Sequence, residues 1–411
     1  MAGMFRAPGF SSGEILLPAA RVALEKWAVI ACDQFTSNPD YWRAAEDFVG
    51  DAPSTLRLTL PEIYLNDSEA RAQSIRAAML KSLEGGLLVP AVSDGFVLVD
   101  RETSGGHRLG LVGLIDLDEY DYAPGARTLV RPTEGTIPAR VPPRAKIRAG
   151  APMELPHVMM LIDDPAGTLI ESVAARREEL RPLYDFPLML GGGRAAGYAV
   201  EGAAAEAAME ALDGLYEKSG GLLYAVGDGN HSLAAAKSCW NEIKRNCTPE
   251  QAAAHPARYA LVELVNIHSP ALVFEPIHRV VTGVDGGEVA AAYEESLAAR
   301  GIPVRAGNDV RILAGETEVG YGFDAHPLAS LQDFLLEFAA RTPGAEIDYI
   351  HGEDELRDLV KKGGAGFLVR GIDKGELFPA VRENGVLPRK AFSMGEARDK
   401  RYYLEARALS N

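Results

Sequence analysis

Cysteine is scarce in this chain of 411 residues: Cys32, Cys239 and Cys247 are all it has. Three irregularly spaced thiols exclude a disulfide framework, and without a Cys-x-x-Cys or a His-x-x-x-His pair there is no zinc spacing either. Uninterrupted runs of eighteen or more apolar residues are missing, which excludes a conventional membrane helix. The N-terminus, MAGMFRAPGFSSGE, has no charged region leading into an apolar core, so a secretory signal is not expected. Positive charge is in deficit, with a net charge of −16 and a pI near 5.1, and such a surface repels a nucleic-acid backbone. These absences point to a protein of the reducing cytoplasm with no membrane or nucleic-acid partner. Its 47% hydrophobic content is that of a folded globular chain with a sizeable core.

The most informative stretch that is present is LLYAVGDGNHSLAAAKSCW. Leu222 to Val226 is short, apolar and closed by glycines, and reads as a buried strand; Ser232 to Trp240 is alanine-rich and free of Gly and Pro, and reads as a helix. The first N–H groups of a helix lack intrahelical partners and carry partial positive charge, so a phosphate or carboxylate binds well there. Gly227 and Gly229 permit a tight turn and close approach of a ligand, and Asn230 or Ser232 could cap the helix. Lys237 lies seven residues after Asn230, nearly two turns on the same face, so its side chain is expected to lean back toward the turn. Asp228 and His231 then flank an anion site with an acceptor and an imidazole. The structural alternative is a tight turn whose Asp and His only secure a loop.

Strand-like and helix-like segments alternate through most of the length, predicting an α/β protein with mixed sheets, flanking helices and some antiparallel meander. WAVIACD, from Trp27 to Asp33, reads as a buried strand, and Phe96 to Val99 with Leu109 to Ile115 reads as a hairpin across SGGH. Beyond Asp285 a further helix–strand pattern predicts a smaller C-terminal α/β region. The expected division is 1–285 and 286–411, with VTGVDGG at the boundary.

Several other clusters carry possible chemistry. RTLVRPTEGTIPARVPPRAKIRAG sets Arg127, Arg131, Arg140, Arg144, Lys146 and Arg148 against one acid, Glu134, and guanidinium forks suit phosphate oxygens. Prolines 132, 138, 142 and 143 argue against one long helix there, and the alternative role is a solvated charged loop. LPRKAFSMG places Arg389 and Lys390 in a second basic element, or in an exposed basic turn. Asp163 and Asp164, at the end of the strand HVMMLIDDP, could hold Mg²⁺ or cap the next helix. His157 and His278 read as structural histidines, and Cys32 as a small buried residue rather than a nucleophile. LGGGRAAG lacks the G-x-G-x-x-G spacing and a clear preceding strand, and reads as a flexible turn.

Taken in order, ACDQFTSNPDYW, RPTEGT, PRAKIR, LPHVMMLIDDP, GDGNHSLAAAK, FEPIHRVV, LFPAVRENG and LPRKAFSMG resemble the uncharacterised bacterial and archaeal group named domain of unknown function 1015, over essentially the whole chain. More locally, GDGNHSLAAAK is similar to the strand, glycine-turn and helix signature of the ParB and sulfiredoxin-like superfamily. That superfamily includes free-serine kinases with an Asp-Gly-His-His turn and ParB proteins with a Gly-Glu-Arg-Arg turn, both placing nucleotide phosphates at the helix start. Asp228, Gly229 and His231 match the kinase pattern; Asn230 replaces its first His, and Ser232 stands where an Arg is common. Another cation must then meet the phosphates, from Lys237, the Arg140 to Arg148 cluster or Lys390.

The resulting expectation is a nucleotide-dependent phosphotransferase, with ATP or another nucleotide and Mg²⁺, acting on a small hydroxylated metabolite such as an amino acid. Gly227, Gly229 and the backbone from Asn230 to Ser232 cradle phosphate, and Lys237 with Arg144 or Lys390 offsets its charge. Asp228 binds Mg²⁺ or accepts the substrate proton, with Asp164 a further metal ligand, and His231 orients a phosphate oxygen or serves as acid/base. The rival readings are a nucleotide- or metabolite-sensing module without catalysis, and a metal-assisted hydrolase built on Asp163, Asp164, Asp228 and His231.

Overall fold

Strands that are apolar at consecutive positions need cover on both faces, and that requirement shapes the first part of the molecule. Along Leu88–Thr103 (β1), Val97 and Val99 join a core with Ile15, Trp27 and Leu261, while Phe96 and Leu98 join a second core with Ile170, Leu212 and Trp240. The structure is a computed structural model that describes residues 5–409, apart from 32–34, 36, 37, 156, 157 and 389. Cys32, Asp33, His157 and Arg389 lie outside the described residues.

The chain forms two compact units, Met1–Leu272 with Val381–Gly385 and Gly395–Asn411, and Val273–Ala380 with Val386–Met394. After β1, the main strands of the first unit are Gly106–Asp116 (β2), Val130–Pro132 (β3), Met159–Ile162 (β4), Arg181–Pro187 (β5), Arg194–Val200 (β6), Tyr224–Asp228 (β7) and Tyr259–Asn266 (β8). They run β5-β6-β1-β2-β8-β4-β7-β3 in an eleven-stranded mixed sheet. The β8/β4 and β7/β3 pairs are parallel. Its helices include Ser68–Glu84 (α1), Val141–Arg148 (α2), Gly202–Lys218 (α3) and Asn230–Lys244 (α4). The mixed α/β expectation holds, and no helix among the described residues is long and apolar enough to cross a membrane.

Two local expectations change. Among the described residues WAVIACD contributes only Val29–Ile30 as strand, because Trp27 ends a short helix, Leu24–Trp27. LGGGRAAG connects a hairpin: Pro187 closes β5 and Arg194 opens β6, so Pro187 sits at a strand end, where its missing donor is tolerated.

In the second unit, Phe274–Thr282 (β9), Arg305–Ala314 (β10), Thr317–Gly322 (β11), Glu346–His351 (β12) and Ala365–Val369 (β13) form an antiparallel sheet ordered β11-β10-β13-β9-β12. Helices Gly286–Ala299 (α5) and Leu328–Arg341 (α6) supply Tyr293, Leu331 and Phe334 to its core. The division at 285 is therefore displaced. β9 belongs to this second sheet, and VTGVDGG is a turn inside the unit, leading to α5, where the Asp285 side chain accepts from Glu288 N–H.

The segment after 394 also departs from a simple C-terminal region, since it returns to the first unit. Tyr402–Tyr403 pairs with Val29–Ile30, and Arg407–Ala408 with Met153–Glu154. Its charges are buried in pairs: the Arg401 guanidinium lies 2.7 Å from Glu263 and 2.5 Å from Glu405, which also accepts from the Tyr184 hydroxyl at 2.5 Å. Stripping one member of such a pair leaves an uncompensated buried charge, at about 3–5 kcal/mol.

Candidate active site

The apolar run of β7 ends where its ladder with β4 slips at Gly227, and Asp228 comes opposite Met159. Such a bulge redirects the side chain that follows it. Gly229 then takes a left-handed conformation at φ 82 and is the residue from which α4 starts. A Cβ there would come within 3.0 Å of Val158, so conformation and space both call for glycine. Neither Asn230 nor Ser232 caps the helix, which has no side-chain cap. Asn230 is instead buried and fully engaged: its amide donates to Glu134 O at 3.1 Å, and its oxygen accepts from the Thr136 and Tyr120 hydroxyls. His231 Nε2 accepts the Ile137 N–H at 3.1 Å, which fixes a neutral ring with its proton on Nδ1. The Thr133 hydroxyl donates to Val226 O. Four contacts thus lash the loop 133–137 across the end of β7 and the start of α4, and the acid/base role given to His231 meets a ring nitrogen already in use.

Beside this turn lies a cleft of about 220 Å³. One wall is basic: Arg140, Arg144 and Arg148 line it, four residues apart along α2 and the turn before it. Prolines 142 and 143 do not prevent this helix, because they occupy its first turn, where no intrahelical N–H is needed. Val141 packs on Ala234 and Ala235, which sets the basic helix against α4. Leu58, Leu60, Leu65 and Met79 give the same cleft an apolar lining. Asp228, Gly229 and Ser232 line the same cleft. Three arginines, a set of apolar side chains and the Asp228 carboxylate, with Glu134 and Glu154 also in the lining, fit a ligand that is part flat and apolar, part anionic, as a nucleotide is.

A family model described as a protein of unknown function (DUF1015) matches residues 16–341. The chain belongs to this family. No curated protein matches it. Solved structures similar to this DUF1015 protein include a free serine kinase in complex with AMP, at 12% identity and a TM-score of 0.38, covering 71% of this chain and 90% of that one. A conserved hypothetical protein from Pyrococcus furiosus is similar at 11% identity and 0.37, covering 71% and 94%. SbnI with a C-terminal truncation, from Staphylococcus aureus, is similar at 11% and 0.36, covering 69% and 82%.

Two residues expected at the site of this DUF1015 protein, Lys237 and Asp164, are placed elsewhere in the first unit. Lys237 donates from Nζ to Leu117 O at 2.7 Å, beside Asp118, and does not line the cleft; burial lowers its pKa against the pull of that carboxylate. Asp164 stands at the opposite end of β4 from Asp228. Because β4 and β7 are antiparallel, with Asp228 opposite Met159, five residues of extended chain, roughly 16 Å, separate the two acids. They cannot share a metal ion. Asp164 is buried and accepts from the Thr168 hydroxyl and from Leu169 N at 2.9 Å, while Asp163 accepts from or pairs with His268 Nε2 at 2.7 Å. The hydrolase constellation is therefore not assembled. Lys390 belongs to the second unit, where its carbonyl accepts from Arg279 at 3.0 Å. Among the described residues no group of three or more His, Cys, Asp or Glu could hold a metal.

What sequence reasoning missed is the wall that is not in the motif. In the sequence the RPTEGT segment stands out for its resemblance and its basic neighbours, yet Thr133, Glu134 and Thr136 build the edge of the turn.

Proposed function

We propose that this DUF1015 protein binds a nucleotide in the cleft and transfers a phosphoryl group to a small hydroxylated metabolite. The observation that carries the reading is the meeting of Asp228, the start of α4 and Arg140 and Arg144 of the basic wall in one cleft. Phosphoryl transfer asks for positioning and charge neutralisation more than for covalent chemistry, and arginine forks with a helix start supply both. The apolar lining from Leu58 to Leu65 and Met79 receives the base. Asp228, half-buried at the end of β7, accepts the acceptor's hydroxyl proton as that hydroxyl oxygen bonds to the γ-phosphorus, the bond from this phosphorus to its bridging oxygen breaks and the nucleoside diphosphate departs. A Mg²⁺ ion arriving with the phosphates needs only one or two protein carboxylates, and when bound it supplies charge neutralisation; from this chain Asp228 would hold it.

Incubation with ATP and a panel of hydroxylated amino acids and sugars, read as ADP release, tests this. Turnover with one acceptor is expected, with Asp228→Asn lowering it about 10³-fold at an unchanged melting temperature. Nucleotide binding without consumption by any acceptor would instead favour the sensing module, a reading supported by the engagement of His231 Nε2, which leaves the turn one carboxylate and no open imidazole nitrogen on that side. Absence of nucleotide binding sinks both.

A further inference from the structure

Arg148, at the far end of the basic wall, differs from its two neighbours in how it is held. Its Nη1 pairs with the buried carboxylate of Glu154, while its Nη2 is buried with no hydrogen-bond partner among the described residues. Glu154 already accepts three hydrogen bonds, none of them from that second nitrogen. Its Oε1 accepts from Arg407 Nε at 2.8 Å and from Leu261 N at 2.9 Å, and its Oε2 takes Arg148. Burial pushes the Glu154 carboxyl up, yet Arg148 and Arg407 outweigh it and hold the group below its ordinary range, so it stays ionised. Arg407 is itself fixed by the carbonyls of Pro256 and Tyr259. The guanidinium of Arg148, a residue that lines the cleft, is thus oriented by a clamp reaching in from the C-terminal segment, with one donor buried and unmet among the described residues. An unmet buried N–H on a cation calls for an acceptor.

We infer that Arg148 is a second oxyanion-binding residue of the cleft, receiving a carboxylate or phosphate group of the ligand, and that Glu154 and Arg407 are its positioning residues. Eight residues at the helical rise place it roughly 12 Å along the wall from Arg140, so the group it meets is distinct from the phosphate at the start of α4. The inference rests on the cleft being the ligand site proposed above.

Calorimetric titration of the full-length protein with ATP, pyrophosphate, inorganic phosphate and malonate tests it. Arg148→Gln is expected to weaken binding of at least one probe by about 10–100-fold. Arg148→Lys retains a cation against Glu154 but lacks the second nitrogen; it should fold with an unchanged melting temperature and show a similar loss, which separates binding from stability. Arg407→Gln should weaken the same probe by a smaller factor and Arg407→Lys restore it. A loss confined to malonate assigns a carboxylate to the position, and one confined to the phosphates assigns a phosphate. Every probe that wild type binds, ATP among them, bound equally by both Arg148 variants overturns the inference and leaves the proposed function standing. Small anions lost on Arg148 substitution, in a protein that does not bind ATP, uphold the inference and sink the phosphotransferase. Wild type that binds none of the four probes overturns both.

Discussion

The two ends of β4 carry the same chemistry and use it differently. Asp228 stands level with the first residue of β4, and Asp163 and Asp164 follow its last. At the Asp164 end both carboxylate oxygens are consumed by Thr168 and Leu169, and the acid is 1% exposed. At the Asp228 end a bulge and a left-handed glycine turn the chain so that the carboxylate lines a cleft with three arginines. An acid at a strand end becomes a candidate site by what surrounds it, here a cleft lined by arginines. Its mere presence, which is all that DDP and GDG offer on reading, does not distinguish the two.

Exchanging the perturbations should break that symmetry most visibly. Asp228→Asn is expected to remove about 10³ of turnover, near 4 kcal/mol of transition-state stabilisation, and leave the melting temperature within a degree or two. Asp164→Ala should do the reverse, costing about 2 kcal/mol in denaturant unfolding by stranding the Leu169 amide, with unaltered activity per folded molecule. Equal effects of both variants on turnover would erase the distinction. Gly229→Ala probes the turn alone: φ 82 and the approach to Val158 predict about 1–2 kcal/mol of strain and a displaced start of α4, seen as weaker nucleotide binding.

The smallest effect sharpens the comparison in the second unit, where another histidine accepts a backbone amide. His278 Nδ1 takes the Val369 N–H at 3.2 Å, and burial pushes its pKa down to about 4, with Arg279, Arg311 and His351 reinforcing and Glu353 opposing. The unfolded chain binds a proton between its ordinary 6.5 and 4 where the folded unit does not. Stability from this group is thus present above pH 6.5 and lost as pH falls toward 4. Melting temperatures across that window should fall less steeply in His278→Gln than in wild type; identical slopes would remove His278 from the account.

The strand, turn and helix around Gly229 are legible in the sequence, because an apolar run, two glycines and an alanine-rich segment act locally. Misreadings begin where a distant partner decides. Lys237 does share a face with Asn230, but Leu117 O lies nearer to its ammonium than the turn does, and no pattern within α4 announces that carbonyl. The prolines do keep the basic stretch from forming one long helix, while Pro142 and Pro143, in a first turn, favour the short helix α2. The association of the RPTEGT loop with α4 depends on β3 lying beside β7, a parallel pairing across some ninety residues that leaves no periodic trace. The boundary at 285 failed for a similar reason, since β9 is assigned by its partners β12 and β13 rather than by its own residues.

The order in which the residues are made gives the return of the segment after 394 a temporal meaning. Synthesis runs from the N-terminus, and domains fold as units when their residues are available. The residues that pair with Val29–Ile30 and clamp Glu154 emerge only after nearly the whole of the second unit. The unit begun first is therefore finished last, and until Arg407 leaves the ribosome the cleft has Arg148 but not the clamp that aims it.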